Sequence, residues 1–263
     1  GPAKIFFRPE NKNQLKNLIS EIKIKNDQMH ILGAGSNTLI RDAGFEGVII
    51  KLGSKFSSVN LLNKETIEVG AATLDRKVSD FAKNNCISRM EFLSCIPGSI
   101  GGAITMNSGC YGTEISEILL SIIVVDNLGQ EKELSKKEIN FFYRGSDLPK
   151  NHIIISAKLK GEIASKELIE KKQQELIERK KNSQPSKIKT GGSTFKNLSD
   201  KKAWMLIKES GCHKFNVGDA KISEKHCNFF VNDGNAKASD IETLINKVKT
   251  EVQKKTGIKL ELG

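Results

Sequence analysis

The segment from Ile96 to Gly112 reads Ile-Pro-Gly-Ser-Ile-Gly-Gly-Ala-Ile-Thr-Met-Asn-Ser-Gly-Cys-Tyr-Gly and constrains this chain more than any other stretch. It holds five glycines and no charged side chain. Each glycine in a helix interior costs about 1 kcal/mol relative to alanine, so the segment is not expected to form an ordinary helix. Small side chains and accessible N–H groups suit a backbone that lies close against a flat, polyanionic cofactor. A packed loop between strands is the other reading of the same residues.

A second glycine segment, Gly33-Ala34-Gly35-Ser36-Asn37-Thr38, follows the short apolar run Met29–Leu32. It opens like a dinucleotide fingerprint, yet the third glycine is missing and Leu39-Ile40-Arg41-Asp42 does not continue as a long helix. The next strand ends Lys51-Leu52-Gly53, without the acidic residue that would hold a ribose. A nicotinamide-binding Rossmann domain is therefore not expected. Two readings stay open for these residues, a tight structural turn or a nest of N–H groups for phosphate oxygens.

Around these segments the apolar spacing predicts an α+β chain. A helix is expected from Asn13 to Lys25, with Leu15, Leu18, Ile19 and Ile22 on one face. β-Branched strands are expected at Val48–Leu52, Thr66–Val69, Ile118–Val125 and Ile153–Leu159, between Gly, Asn and Pro turn signals. An amphipathic helix follows from Ile163 to Lys181, stopped by Ser183-Gln184-Pro185. Beyond it come a short helix from Lys201 to Ser210 closed by Gly211, a strand at Phe229–Val231, and a last helix. That last helix is expected to open on a capping box of Ser239 with Glu242 and to end at Gly257. The domains are accordingly placed at 1–162, in two subdomains split near residue 55, and at 163–263.

Composition narrows the function. The 263 residues are 38% hydrophobic, enough for a buried core, and the longest apolar run, Ile118–Val125, is of strand length. No membrane-spanning helix is expected. Five cysteines, odd in number and never spaced C-x-x-C, point away from a disulfide framework and from a metal site, and fit a reducing cytoplasm. The opening Gly-Pro-Ala-Lys has neither an initiator Met nor a signal-peptide pattern and is read as a trimmed start. The net charge is +11, with only six arginines among 42 basic residues. Codon usage in a genome rich in A and T bases explains such a lysine excess, and so do anionic ligands held by a positive field. Nucleic acid is not expected as a partner, because one Trp and two Tyr offer little stacking surface.

Five motifs carry a resemblance. Gly33-Ala34-Gly35-Ser36-Asn37, Ile96-Pro97-Gly98-Ser99-Ile100-Gly101-Gly102, Tyr143-Arg144-Gly145-Ser146, Gly191-Gly192-Ser193-Thr194-Phe195-Lys196-Asn197 and Asn235-Ala236-Lys237-Ala238 follow one another along nearly the whole chain. In order and spacing the chain resembles the UDP-N-acetylenolpyruvoylglucosamine reductases, the MurB family, in the shorter subclass that lacks a Tyr-bearing insertion. The resemblance implies an FAD-binding domain of the vanillyl-alcohol-oxidase (PCMH) type followed by a small α/β substrate-binding domain. It implies that NADPH reduces FAD, which passes a hydride to the enolpyruvyl group of the UDP-sugar. FAD would be held by Gly33, Ala34, Gly35, Ser36, Asn37, Ile96, Pro97, Gly98, Ser99, Gly101, Gly102, Asn107 and Gly109.

By the same resemblance Arg144 would meet the substrate carboxylate and Ser193 would donate a proton, while Lys181, Asn197 and His226 would bind substrate. From the residues alone, Arg144 also reads as part of a surface ion pair, Ser193 as a turn or helix-cap hydroxyl, Lys181 as a solvated helix end and His226 as a packed core residue. The family's third catalytic group is the second Glu of Leu-Glu-x-Glu. Here Leu260-Glu261-Leu262 runs into Gly263, so Glu261 matches the first Glu and takes no role; either the chain is cut short, which is the expectation, or the residue is altered. The expected partners are a UDP-sugar and NADPH, with no membrane and no nucleic acid, for a cytoplasmic monomer. An FAD-dependent oxidase or dehydrogenase of the same fold, acting on another small molecule, is the alternative.

Overall fold

A computed structural model describes residues 1–263. The chain divides into two compact units. The larger comprises Ala3–Ala34 and Glu46–Arg179, and the smaller Gly1–Pro2, Gly35–Phe45 and Lys180–Gly263.

In the larger unit, helix α1 (Lys12–Lys25) starts where the Asn11 side chain accepts the Gln14 amide at 2.9 Å. It stops at Asn26, whose φ of 53° is a left-handed conformation that Asn tolerates. Leu15, Leu18, Ile19 and Ile22 are buried on its inner face with Val48, Ile50 and Phe56. Beside it a three-stranded sheet runs in the order Ala3–Phe7, Phe45–Ile50, Met29–Ile31, the last two parallel. The main sheet is five-stranded and antiparallel, in the order Glu131–Ser135, Leu119–Val125, Ile153–Lys160, Thr66–Gly70, Val59–Leu61. Its buried residues Ile67, Val69, Ile122 and Leu159 form one core with Val78 and Ala82 of α2 (Asp75–Asn84) and with Ile100, Ala103 and Ile104 of α3 (Ile100–Thr105).

Helix α3 corrects the expectation that the glycine-rich stretch would not be helical. Burial of Ile100, Ala103 and Ile104 offsets the cost of the two glycines, and Gly101 is useful in place. A Cβ at Gly101 would sit only 3.1 Å from the Ala71 Cβ, so its absence lets the helix approach the strand end closely. Helix α4 (Lys166–Ser183) lies, as far as Arg179, with the larger unit. Ile169 and Gln173 are buried there, and Gln173 donates to the Ser79 hydroxyl of α2 at 2.7 Å. The chain therefore passes between the units near residue 180 rather than near 162.

The smaller unit is a four-stranded antiparallel sheet, in the order Lys189–Ser193, Phe229–Asn232, Ala220–Ile222, Asn216–Val217. Helices α5 (Ala203–Glu209) and α6 (Ala238–Thr256) share its core, where Leu206, Ile207, Leu244, Val248 and Val252 meet Phe195 and Phe230. Gly257, at φ 72°, ends α6 as its spacing predicts.

The capping box expected from Ser239 and Glu242 is not what starts α6. The helix begins two residues earlier, with Lys237 at the cap, and Asp240 accepts the Lys237 amide at 2.8 Å. The two carboxyl oxygens of Asp42 accept the amides of Ala238 and Ser239 at 2.8 and 2.9 Å. Glu242 instead pairs with Arg41 at 2.9 Å. A residue about two hundred positions away thus supplies the cap that the local sequence was expected to provide. No helix is long and apolar enough to cross a membrane.

Candidate functional site

The two glycine segments meet in part. A Cβ on Gly33 would lie 2.9 Å from the Ser99 hydroxyl, so glycine at 33 lets the first segment approach the second. The amides of Gly33 to Asn37 donate to nothing within the protein, which leaves five successive N–H groups for an anion. The second segment is tied to residues 71–75: Leu74 bridges Ser99, and the amides of Asp75, Ile100 and Gly101 donate to the carbonyls of Gly98, Thr73 and Ala71 at 2.9–3.1 Å. Neither segment carries an acidic side chain. With unused amides in the first segment, small side chains in both and no acidic group in either, these residues fit a dinucleotide with a diphosphate.

Downstream, Asn107 is 2% exposed and ties three elements together. Its Nδ2 donates to Glu114 Oε2 at 2.7 Å and to the Phe142 carbonyl at 3.2 Å, and its Oδ1 accepts the Ser116 amide at 3.3 Å. With its side chain so engaged, Asn107 acts on neighbouring groups by position. Gly109 and Cys110 pair with Thr113 and Glu114 around a turn in which Tyr111 and Gly112 both have positive φ.

Arg144 lies at the tip of a second short hairpin, Phe141–Phe142 with Gly145–Ser146, at φ 59°. Its Nη2 donates to the Gly109 carbonyl at 3.1 Å, and its Nη1 lies 3.7 Å from Glu114 Oε1. The Tyr143 ring stacks on the guanidinium at 4.8 Å. A guanidinium has five donors, so Arg144 keeps a part of its fork for a ligand. The side chain is about a third exposed.

In the smaller unit, Ser193 ends the strand Lys189–Ser193, opposite Phe229 and past a bulge. It is exposed, and its hydroxyl makes no hydrogen bond within the protein. Gly192 has φ 86° and needs to be glycine for that reason, whereas Gly191 has neither a positive φ nor any atom within 4 Å of where its Cβ would be. Gly263 runs alongside: its amide donates to the Thr194 carbonyl at 3.0 Å, and a Cβ there would start 3.2 Å from the Ser193 carbonyl oxygen. The Asn37 side chain reaches the Gly263 carbonyl at 3.4 Å. Asn197 accepts the Ala203 amide at 3.1 Å, ahead of α5.

His226 opens onto a cavity of about 920 Å³, with Trp204, Lys208, Lys214, Lys221 and Lys225 among its walls. Its ring packs edge-on against Phe229, with centroids 4.9 Å apart. Burial depresses its basicity below the usual imidazole range, so it is neutral at pH 7. Lys225 Nζ bonds the Lys181 carbonyl at 2.5 Å, which places the end of α4 beside this wall. Lys181 and Asn197 do not line the cavity. Sequence reasoning missed Trp204 and the lysines. The lone Trp was the available signal, since Ala203, Leu206 and Ile207 carry the buried stripe of α5 and leave Trp204 off it.

Comparison with known proteins decides the family. A profile described as the UDP-N-acetylenolpyruvoylglucosamine reductase C-terminal domain matches residues 184–263, and an FAD binding domain profile matches residues 3–135. The UDP-N-acetylenolpyruvoylglucosamine reductase of Pelagibacter ubique is 48% identical over 99% of this chain and 87% of its own length. The chain belongs to the UDP-N-acetylenolpyruvoylglucosamine reductase family. The family member of Wolbachia pipientis wMel is 43% identical over 99% of the chain and 88% of its own length. The crystal structure of the reductase (MurB) from Thermus caldophilus superposes with a TM-score of 0.87 at 33% identity, covering 100% of this chain and 91% of that one. The expected α+β fold, an FAD-binding domain followed by the family's C-terminal domain, is thus established. Both glycine segments fall in the FAD-binding match and Ser193, Asn197 and His226 in the other, while Arg144 and Lys181 lie outside both.

Proposed function

We propose that this chain reduces UDP-N-acetylenolpyruvoylglucosamine to UDP-N-acetylmuramate with NADPH, in the supply of peptidoglycan precursors. When bound, FAD would supply the hydride chemistry that links oxidation of NADPH to reduction of the enolpyruvyl group. Gly33, Ala34, Gly35, Ser36 and Asn37 would hold its diphosphate through their unused amides. Ile96, Pro97, Gly98, Ser99, Gly101, Gly102, Asn107 and Gly109 would shape the remainder of its cradle. The open donors of Gly33–Asn37, with Gly33 set against Ser99, in a family matched by an FAD-binding profile, are the observation that carries this reading.

Hydride addition to an enol ether conjugated to a carboxylate leaves negative charge on the neighbouring carbon and on the carboxylate. Arg144, anchored by Gly109 and Glu114, presents a planar fork to that charge, strongest where charge develops in the transition state. Ser193, with its hydroxyl unengaged, gives its proton to the carbanion; an alcohol of high pKa can do so because the acceptor is a far stronger base than the starting ether. The smaller unit holds the UDP-sugar, with Lys181, Asn197 and His226 as substrate contacts. The cavity beside His226, walled by lysines and Trp204, supports a nucleotide diphosphate there. Five cysteines, odd in number and never spaced C-x-x-C, support a cytoplasmic setting, and a monomer is part of the same proposal.

Anaerobic titration tests the reading. The purified protein should be yellow and bleach on one equivalent of NADPH, and the UDP-sugar should restore the colour stoichiometrically. Recovery with oxygen but not with the UDP-sugar would favour an oxidase of the same fold, and a colourless protein that takes up no FAD would exclude both.

A further inference from the structure

Asp75 begins α2, and nothing in the chemistry above uses it. The side chain is fully buried, and neither of its carboxyl oxygens has a hydrogen-bond partner. Buried polar groups are nearly always satisfied, so an orphaned carboxyl calls for a physical explanation. Its place suggests one. The Asp75 amide donates to the Gly98 carbonyl at 3.1 Å, and a Cβ on Gly98 would come 2.5 Å from Asp75 Oδ2. The carboxyl therefore fills the volume that any side chain at position 98 would need. It lies beneath the turn Ile96–Ser99, the middle of the second glycine segment.

We propose that Asp75 is a positioning residue of the flavin cradle: as an uncharged acid it packs under Ile96–Ser99 and keeps the turn closed, and on ionising it drives the turn open and weakens FAD binding. The inference rests on the reading of this segment as an FAD cradle. Burial pushes the carboxyl up to about 8, and no charged neighbour contributes. On its own helix Arg76 and Asp80 pair with each other, Lys83 pairs with Glu170, and Lys77 is exposed. On the turn packed against α2, Glu91 pairs with Lys172; the turn Ile96–Ser99, residues 71–74 and α3 carry no charge.

The sign follows from proton linkage. Under the closed turn the proton is held to about pH 8, and in a wetted, open turn it leaves at the ordinary carboxyl value of 3.8. Closure is thus strongest below pH 3.8. It weakens up to tenfold for each pH unit to about 8, and no further above that. FAD selects the closed turn, so its apparent affinity follows the closed fraction.

The test is FAD binding to the apoprotein, read by quenching of flavin fluorescence from pH 6 to 9, in wild type and Asp75→Asn. Thermal melts from pH 5 to 8.5 run in parallel. Wild-type Kd should rise at least tenfold across the range and wild-type Tm should fall with pH. Asn, a permanently neutral near-isostere, should give flat profiles and bind more tightly than wild type at pH 9. A flat wild-type Kd, the same slope in Asp75→Asn, or a tenfold loss of affinity in Asp75→Asn at pH 6 would overturn the proposal. Asp75→Ser carries the same expectation of flatness should Asn pack poorly. If the wild-type apoprotein takes up no FAD at any pH, the cofactor reading has failed. The Tm slope then decides the buried acid separately, and its absence in wild type overturns that part too.

Discussion

Arg144 combines three features seldom found together in one arginine: a left-handed backbone, a carbonyl anchor at Gly109 and an aromatic ring against its face. A bulky residue at positive φ is kept there only when its surroundings impose it, and such sites cluster where side chains must be aimed. Aim matters because a fork serves a carboxylate bidentately and an ammonium cannot. Arg144→Lys should therefore slow flavin reoxidation by the UDP-sugar about 100-fold or more, the usual loss when a preorganised donor to developing charge is removed. Ser193→Ala should show a comparable loss, on the order of 100- to 10,000-fold, for want of its proton. In both variants, stopped-flow reduction by NADPH should proceed at close to the wild-type rate. Slowing of both half-reactions alike would remove these two residues from the second one. The sequence made Arg144 and Ser193 visible only through motifs, since neither the Gly109 carbonyl nor the open surface at Ser193 has a signature in residue spacing.

Secondary-structure elements were legible wherever burial set the period. Leu15, Leu18, Ile19 and Ile22 fixed α1, and Ile153–Leu159 read as a strand because its β-branched run is buried on both faces, Ile154, Ala157 and Leu159 in one core and Ile153 and Ile155 in another. Two features escaped, both because the deciding partner is remote. The amides at the start of α6 are met by Asp42, so the local Ser239 and Glu242 misled. Helix α3 forms among glycines because Ala71 and a hydrophobic core wait for it. The strand leading to Ser193 offers a direct contrast between glycines. Gly192→Ala forces a side chain into a positive-φ position and should destabilise the protein by about 1–2 kcal/mol in denaturant melts. Gly191→Ala meets open space and no such strain, so its stability should stay within about 0.5 kcal/mol of wild type. If glycine at 191 serves close approach of the substrate, the same variant should raise the KM for the UDP-sugar with flavin content unchanged.

At the scale of the whole molecule, the charge of +11 surrounds a pathway whose proposed substrates are all anions. A field of this kind speeds encounter and is screened over about 10 Å at 0.1 M salt. Raising ionic strength from about 0.01 to 0.15 M should lower kcat/KM for the UDP-sugar several-fold and leave kcat nearly unchanged; a flat kcat/KM would assign the lysine excess to codon usage instead. Fold class and family were legible from five motifs in order. The passage near residue 180 was not, because the charged surface of α4 gives no hint that Ile169 and Gln173 bury themselves under α2. Nor did the sequence suggest that residues 35–45 would count with the last eighty. Yet Asp42 caps α6, Arg41 pairs with Glu242, Asn37 touches Gly263, and Pro2 accepts the Phe45 amide. The gene therefore has no single point at which scissors would free the C-terminal unit. A fragment begun at residue 180 would leave behind the very loop that finishes it, and both halves would have to be made as one polypeptide for either to be whole.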